Sequence, residues 1–235
     1  MNVDATSLAY VQSVLRTASI VKIGNIVIAP NLVKGADDTK TVIIYQTTGI
    51  PAMPFGSIGI NRADVFSSRV EIAKTAENFS IDAVMHTSTE QPFVRALTMK
   101  GKGIKIDYRC ANPQVIPAPK FFNEVVTHSM KITPEAISLM QRGQAAMSTD
   151  EISFIGNDTG ISFEMSDVNN DALVYQIDDH IVSATGDAPN FSHKYPIKTV
   201  YSLFKANTDG FFHVTSRGLL KVVVNSLDIY VLARD

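Results

Sequence analysis

The chain has 235 residues, of which 45% are hydrophobic and 19% charged, with a formal net charge of −2. This composition suits one large domain or two ordinary ones and excludes a disordered chain. It excludes a strongly basic protein as well, so any contact with nucleic acid needs an uneven distribution of charge.

The single cysteine, Cys110, leaves no disulfide framework or cysteine-based zinc site within one chain. Met1-Asn2-Val3-Asp4 has neither the basic nor the apolar part of a signal peptide, and no window approaches the ~20 apolar residues that span a bilayer. A soluble, cytoplasmic protein in a reducing compartment is expected.

In segment 6–19, Leu8, Val11, Leu15 and Ala18 share one face and Gln12, Ser13, Arg16 and Thr17 the other. This predicts a helix capped by Asp4 or Thr6. Strands are predicted at 25–29 and 41–46, with Gly35-Ala36-Asp37-Asp38 as the turn between them. Pro51 and Pro54 mark irregular chain before a short strand at 55–60. A second helix over 62–74 turns Val65, Phe66, Val70 and Ala73 inward. Strands at 79–85, 93–100 and 104–109 follow, with a Gly101-Lys102-Gly103 hairpin joining the last two. Pro113, Pro117 and Pro119 then predict an extended connector over 112–120, dividing a domain at 1–111 from one at 121–235.

The second half repeats the plan. A strand is predicted at 121–130, then a helix opening on Thr133-Pro134-Glu135 and running to Met147, with Ile137, Met140 and Met147 on its apolar side. Strands follow at 151–155, 161–166 and 173–178. A polar loop at 184–193 precedes a helix at 196–207, and strands at 211–216, 219–224 and 229–232 complete the chain. At an offset of 126, Arg16 aligns with Arg142, Ile26 with Ile152, Ile28 with Phe154 and Asn31 with Asn157. At the second helix the offset is 135, where Val65-Phe66-Ser67 meets Val200-Tyr201-Ser202. The difference implies nine extra residues in the second half, for which the 184–193 loop is the natural place. A period this long means duplication of a domain.

Catalytic signatures are missing from this pattern. His86, His128, His180, His193 and His213 stand at no mutual ligand spacing, and no GxSxG, Walker or GxGxxG sequence occurs. Gly56-Ser57-Ile58-Gly59 lacks the setting of a phosphate loop and reads as a turn. Asp167-Val168-Asn169-Asn170-Asp171 resembles a calcium loop without its glycine or closing glutamate. Asp178-Asp179-His180 reads as a solvated turn and Cys110 as an inert thiol. No cofactor or metal is expected, and a binding or assembly protein, not an enzyme, is the expectation.

The order of elements, the duplication and the proline-rich connector resemble the DNA sliding clamps, and among them the polymerase processivity factors of T-even-type bacteriophages. The resemblance covers nearly the whole chain. It is most specific at 4–31, at 132–166 (ITPEAISLMQRGQAAMSTDEISFIGNDTGISFEMS) and at 195–232. It implies an α+β clamp fold: two similar domains, each with two helices packed on antiparallel sheets, in a ring of three subunits whose twelve helices line a hole. It implies no catalysis. Its partners would be double-stranded DNA held without sequence preference, a DNA polymerase and a clamp loader, in a host cytoplasm if the protein is viral.

Charge is consistent with this. The helices as predicted carry +4, counting Arg62, and the rest of the chain −6. Arg16, Arg69, Lys74, Arg142, Lys198 and Lys205 are the candidate DNA-facing residues. By the same resemblance, Val115, Ile116 and Pro117 of the connector, with Tyr230 and Leu232, are candidates for a partner-binding pocket, against plain core packing. The competing reading is a self-assembling β-rich viral structural protein with no DNA-tethering role.

Overall fold

The computed structural model describes residues 2–88, 91–117, 125–157, 159–178, 180–182, 190–208 and 210–234. The end of the expected connector (118–120), the start of the expected 121–130 strand, most of the 184–193 loop, Asp158 and Asp179 lie outside the described residues. Contacts divide the chain into two compact units, Met1–Lys120 with Asn225–Leu227, and Phe121–Val224 with Asp228–Asp235.

In the first unit the Asp4 carboxylate accepts from the Ser7 amide at 2.8 Å and from the Ser7 hydroxyl at 2.7 Å, which satisfies the start of α1 (Ala5–Ile20). No glycine or proline interrupts this helix, and the chain leaves it through Lys22 at φ 59°. The strands β1 (Asn25–Ala29), β2 (Leu32–Ala36) and β3 (Val42–Gln46) then form an antiparallel meander.

The turn predicted at Gly35–Asp38 is corrected here, because β2 runs through Ala36 and the turn is 37–41. Asp37 closes that turn, accepting from the Val42 amide at 2.8 Å and from the Thr39 and Thr41 hydroxyls. Gly35 is needed inside β2: a Cβ there would stand 2.8 Å from the Asn25 carbonyl oxygen.

β4 (Ser57–Ile60) pairs with β1 and leads into α2 (Ala63–Lys74). A second meander follows: β5 (Ser80–His86), β6 (Phe93–Gly101) and β7 (Ile104–Arg109). The β6–β7 hairpin turns through Gly103 at φ 77°. Leu8 and Val11 of α1 meet Phe66 of α2 and Ile58, Ile81 and Leu97 of the strands around one small void. Phe66 also packs edge-on against Tyr108, at 5.1 Å between ring centres.

The second unit runs β8 (Val126–Lys131), α3 (Pro134–Met147), β9 (Glu151–Asn157), β10 (Gly160–Ser166), β11 (Ala172–Ile177), β12 (His180–Val182), β13 (Phe191–Pro196), α4 (Ile197–Ala206), β14 (Phe211–Thr215), β15 (Leu219–Val224) and β16 (Leu227–Leu232). Thr133 caps α3 through its hydroxyl, Pro134 takes the first turn, and Ser148 ends the helix at φ 50°. One sheet has the order β11-β10-β9-β13, and a second path runs β12-β8-β14-β15-β16. Phe154 on β9 joins the two: its ring lies 6.4 Å from Phe163, 5.8 Å from Tyr195 and 6.0 Å from Phe204, which in turn lies 4.1 Å from Phe212.

The duplication is visible strand by strand. In each unit a helix precedes a three-stranded meander, and this happens twice. β4 before α2 pairs with β1, as β13 before α4 pairs with β9. Ile26 and Ile28 are buried in β1 as Ile152 and Phe154 are in β9. The loops 37–41 and 167–171 each open on an aspartate that accepts amides of its own loop or of the next strand. The added length of the second half is not confined to the 184–193 loop: β9, β10 and β11 have seven, seven and six residues where β1, β2 and β3 have five each. No described helix is long and apolar enough to cross a membrane.

Candidate nucleic-acid interface

In each unit the two helices lie side by side. In the first, Gln12 of α1 is the tie. Its Nε2 donates to Glu71 at 2.9 Å, and its Oε1 accepts from the Lys74 ammonium at 2.7 Å. In the second, the Tyr201 hydroxyl of α4 donates to Gln141 of α3 at 3.2 Å. Inward-facing apolar residues fix the opposite faces: Leu8, Val11, Val14 and Leu15 on α1, Phe66 and Val70 on α2, Ala136 and Met140 on α3, and Val200, Leu203 and Phe204 on α4. The glutamines that bind helix to helix read in the sequence only as polar-face residues; their pairing depends on how the helices abut.

All six candidate cations stand on these helices. Arg16 is exposed and, among the described residues, bonds only its own helix, from Nε to the Gln12 carbonyl at 3.3 Å. Arg69 is half-buried; its guanidinium donates to the Asp107 carbonyl at 3.1 Å and lies 5.7 Å from the centre of the Tyr108 ring. Lys74 binds Gln12 and approaches Glu71 at 3.8 Å. Lys198 pairs with Asp150 at 3.3 Å, both side chains largely in solvent. Arg142 and Lys205 are exposed and have no ion-pair partner among the described residues.

One count changes. Arg62 precedes α2 and lies 5.4 Å from the centre of the Tyr108 ring, so it is not a helix-face charge. The four helices then carry +3, and a chain of −2 leaves −5 elsewhere.

The proposed partner residues divide by environment. In the first unit Val115 and Pro117 are exposed, whereas Ile116 is 6% exposed, with its Cδ1 3.0 Å from where a Cβ on Gly59 would stand. In the second, Tyr230 is buried, with its hydroxyl 3.3 Å from Asp228 and the Lys221 ammonium 5.5 Å from its ring centre; Leu232 is half-buried.

The remaining polar groups serve the fold. Asp167 accepts from the amides of Asn169 and Asp171, which closes its own loop. His180 faces two backbone carbonyls, of Ile177 and Thr159. Burial pushes the Cys110 thiol up to about 12. No group of three or more metal-ligating side chains occurs among the described residues.

Several sheet edges stay open. Among the described residues β7 pairs only with β6 and β11 only with β10, as β5, β12 and β13 also have one strand neighbour each. Cys110 donates its amide back to Arg95 at 3.0 Å, and Ala111 donates the other way, to Gly59 at 2.9 Å. By alternation the amides of Lys105 and Asp107 point away from β6.

No family model and no curated protein matches the chain. Solved structures do. The PCNA of A. fulgidus, with the C-terminal region of FEN-1 bound, is 13% identical over 96% of this chain and 95% of that one, at TM-score 0.61. PCNA from Thermococcus kodakaraensis is 11% identical over 99% of both chains, at 0.58. The H. pylori beta clamp in complex with 5-chloroisatin is 11% identical over 97% of this chain but 62% of its own, at 0.64. The chain therefore has the sliding-clamp fold, an α+β architecture of four helices packed on antiparallel and mixed sheets.

Proposed function

We propose that this protein is a sliding clamp: three copies close into a ring around duplex DNA and tether a replicative polymerase, with a clamp loader opening the ring. The observation that carries the reading is the fold itself, a full-length likeness to PCNA chains, together with cationic helix pairs on an acidic chain. Encirclement needs little affinity. A few lysine and arginine contacts to phosphate would centre the duplex without reading bases, which leaves it free to slide. The narrower kinship, to the T-even-type phage factors, rests on the sequence layout.

The open edges support assembly. Lys105 is exposed on β7, while Asp171 and Asp178 flank β11. An edge of β7 joined to β11 of the next copy brings opposite charges together. The joint is head-to-tail, so it repeats and can close.

Partner proteins fit the outer face. The A. fulgidus clamp structure holds a FEN-1 segment and an H. pylori clamp structure a DNA ligase peptide. By analogy the exposed Val115 and Pro117 of the first unit, and Leu232 of the second, are the candidates for a polymerase peptide to reach, while buried Ile116 and Tyr230 would pack within their own units.

Sedimentation at micromolar concentration is expected to give a trimer. The protein should stay on closed circular DNA and run off linear DNA of the same sequence. Lys105→Pro removes one outward amide of β7 and leaves the β6 ladder intact; it should yield a folded monomer by circular dichroism. A wild-type monomer, or equal retention on both DNAs, would end the proposal.

A further inference from the structure

The sheet face of the first unit that turns away from α1 and α2 carries a depression of about 630 Å3, lined by Val84, Arg95, Ala96, Thr98, Asp107, Arg109 and Cys110. Arg95 reaches it through an irregularity in the sheet. Val84 pairs with Ala96 but Met85 with Val94, so Arg95 is the extra residue of a β-bulge. Burial follows the resulting change of face. Val94, Leu97 and Met99 point into the core, while Arg95 is exposed and Ala96 half-buried. Bulges re-aim side chains in this way.

Arg109, exposed on β7, is paired directly with Ala96, so the bulge sets two guanidinium-bearing residues side by side on adjoining strands. Like charges so placed repel. The nearby acids do not relieve them: Asp107 accepts from Thr98 at 2.7 Å and pairs with Lys105 at 3.5 Å, and Asp82 pairs with Lys100 at 2.9 Å. Among the described residues neither Arg95 nor Arg109 has an ion-pair partner. Between them Val84 (38% exposed), Ala96 and Cys110 provide an apolar floor.

We infer that this face docks an acidic peptide segment of a partner protein, with carboxylates on Arg95 and Arg109 and an apolar side chain on the floor at Val84 and Ala96. Arginine suits this because its planar fork grips a carboxylate through two hydrogen bonds. A peptide fits better than a nucleic acid strand, whose continuous phosphates would meet Asp82 and Asp107. The depression is large enough for a few side chains. The inference goes beyond the clamp reading and does not need the ring.

The test is fluorescence anisotropy of the full chain with a labelled peptide carrying glutamates on both sides of a leucine–phenylalanine pair. Saturable binding is expected, weakened about tenfold or more by Arg95→Glu with Arg109→Glu. A glutamine version of the peptide should not bind, and Arg95→Lys should bind in between. If the edge-strand change at Arg109 perturbs folding, as thermal melts would reveal, Arg95→Glu alone should still weaken binding severalfold. No saturable binding up to about 1 mM peptide, unchanged affinity in the reversed variants, or displacement of the peptide by single-stranded DNA would each overturn the assignment.

Discussion

The helix pairs of the two units have the same place in the repeat but treat their cations differently. In the first, Arg69 is held by the Asp107 carbonyl and the Tyr108 ring, and Lys74 by Gln12 and Glu71. In the second, Arg142 and Lys205 reach solvent without an ion pair among the described residues, and α4 has no acid of its own. Duplication thus preserved the frame, while the charge on it diverged. A cation already engaged must give up its partners before it binds phosphate. A free one loses only hydration, so DNA contact should fall mainly to Arg142 and Lys205 of the second unit, with Arg16 as the first unit's share.

The largest expected effect tests this directly. Arg142→Glu with Lys205→Glu should lower affinity for a short linear duplex about a hundredfold, while a ring already on closed circular DNA stays threaded. It should also flatten the salt dependence of that affinity by about 0.9 in log–log slope for each phosphate that is no longer neutralised. Arg69→Ala with Lys74→Ala should change that affinity by no more than about threefold, since those charges are spent within the unit. Equal losses from the two pairs would erase the distinction.

A middle-sized effect compares the packing of the units through one glycine each. A Cβ on Gly59 would stand 2.5 Å from the Ala111 carbonyl oxygen, and backbone cannot yield, so Gly59→Ala should cost about 2–3 kcal/mol in denaturant melts. On Gly143 a Cβ meets the flexible end of Met165. The helix propensity gained, up to about 1 kcal/mol, should leave Gly143→Ala near neutral.

The smallest effect separates the units by pH. Burial holds His193 below its usual value near 6.5, and burial with the Lys221 charge does the same for His213. The folded second unit disfavours their protonated forms. Its stability should be complete above pH 6.5 and decline as pH falls from there, because the unfolded chain takes those protons first. In the first unit burial raises Asp37, but hydrogen bonds from Thr39, Val42 and Thr41 outweigh it, and Lys100 lowers Asp82. Both end below 3.8, so their contribution persists until pH falls below that value. Hydrogen exchange at pH 7 and pH 5 should show protection lost in β13 and β14 before β3 and β5.

Periodicity and caps made most of the fold legible. The amphipathic spacing of α1, the Thr133-Pro134 start of α3 and the Gly103 hairpin are local signals, and each lies where the sequence places it. The missed strands lack such signals. β2 is five residues that include Lys34 and Gly35, joined to β1 by a two-residue turn. β12 has three residues, and β13 alternates polar side chains and closes on Pro196. Such segments are strands because a neighbour offers its edge, which is a tertiary fact. The cations were legible as helix-face residues; whether each is free or engaged was not, since Arg69 meets a carbonyl 38 positions away. The bulge that turns Arg95 outward is likewise visible only in the register.

The Arg69–Asp107 bond couples matters that otherwise look separate. Asp107 lies on the edge through which a neighbouring copy would be recruited, and Arg69 now occupies its outward carbonyl. An incoming strand competes for that oxygen. The lone chain would thereby shield that margin, and a copy joining there would have to displace a guanidinium from it. Closure of the assembly would then be gated by one side chain changing allegiance.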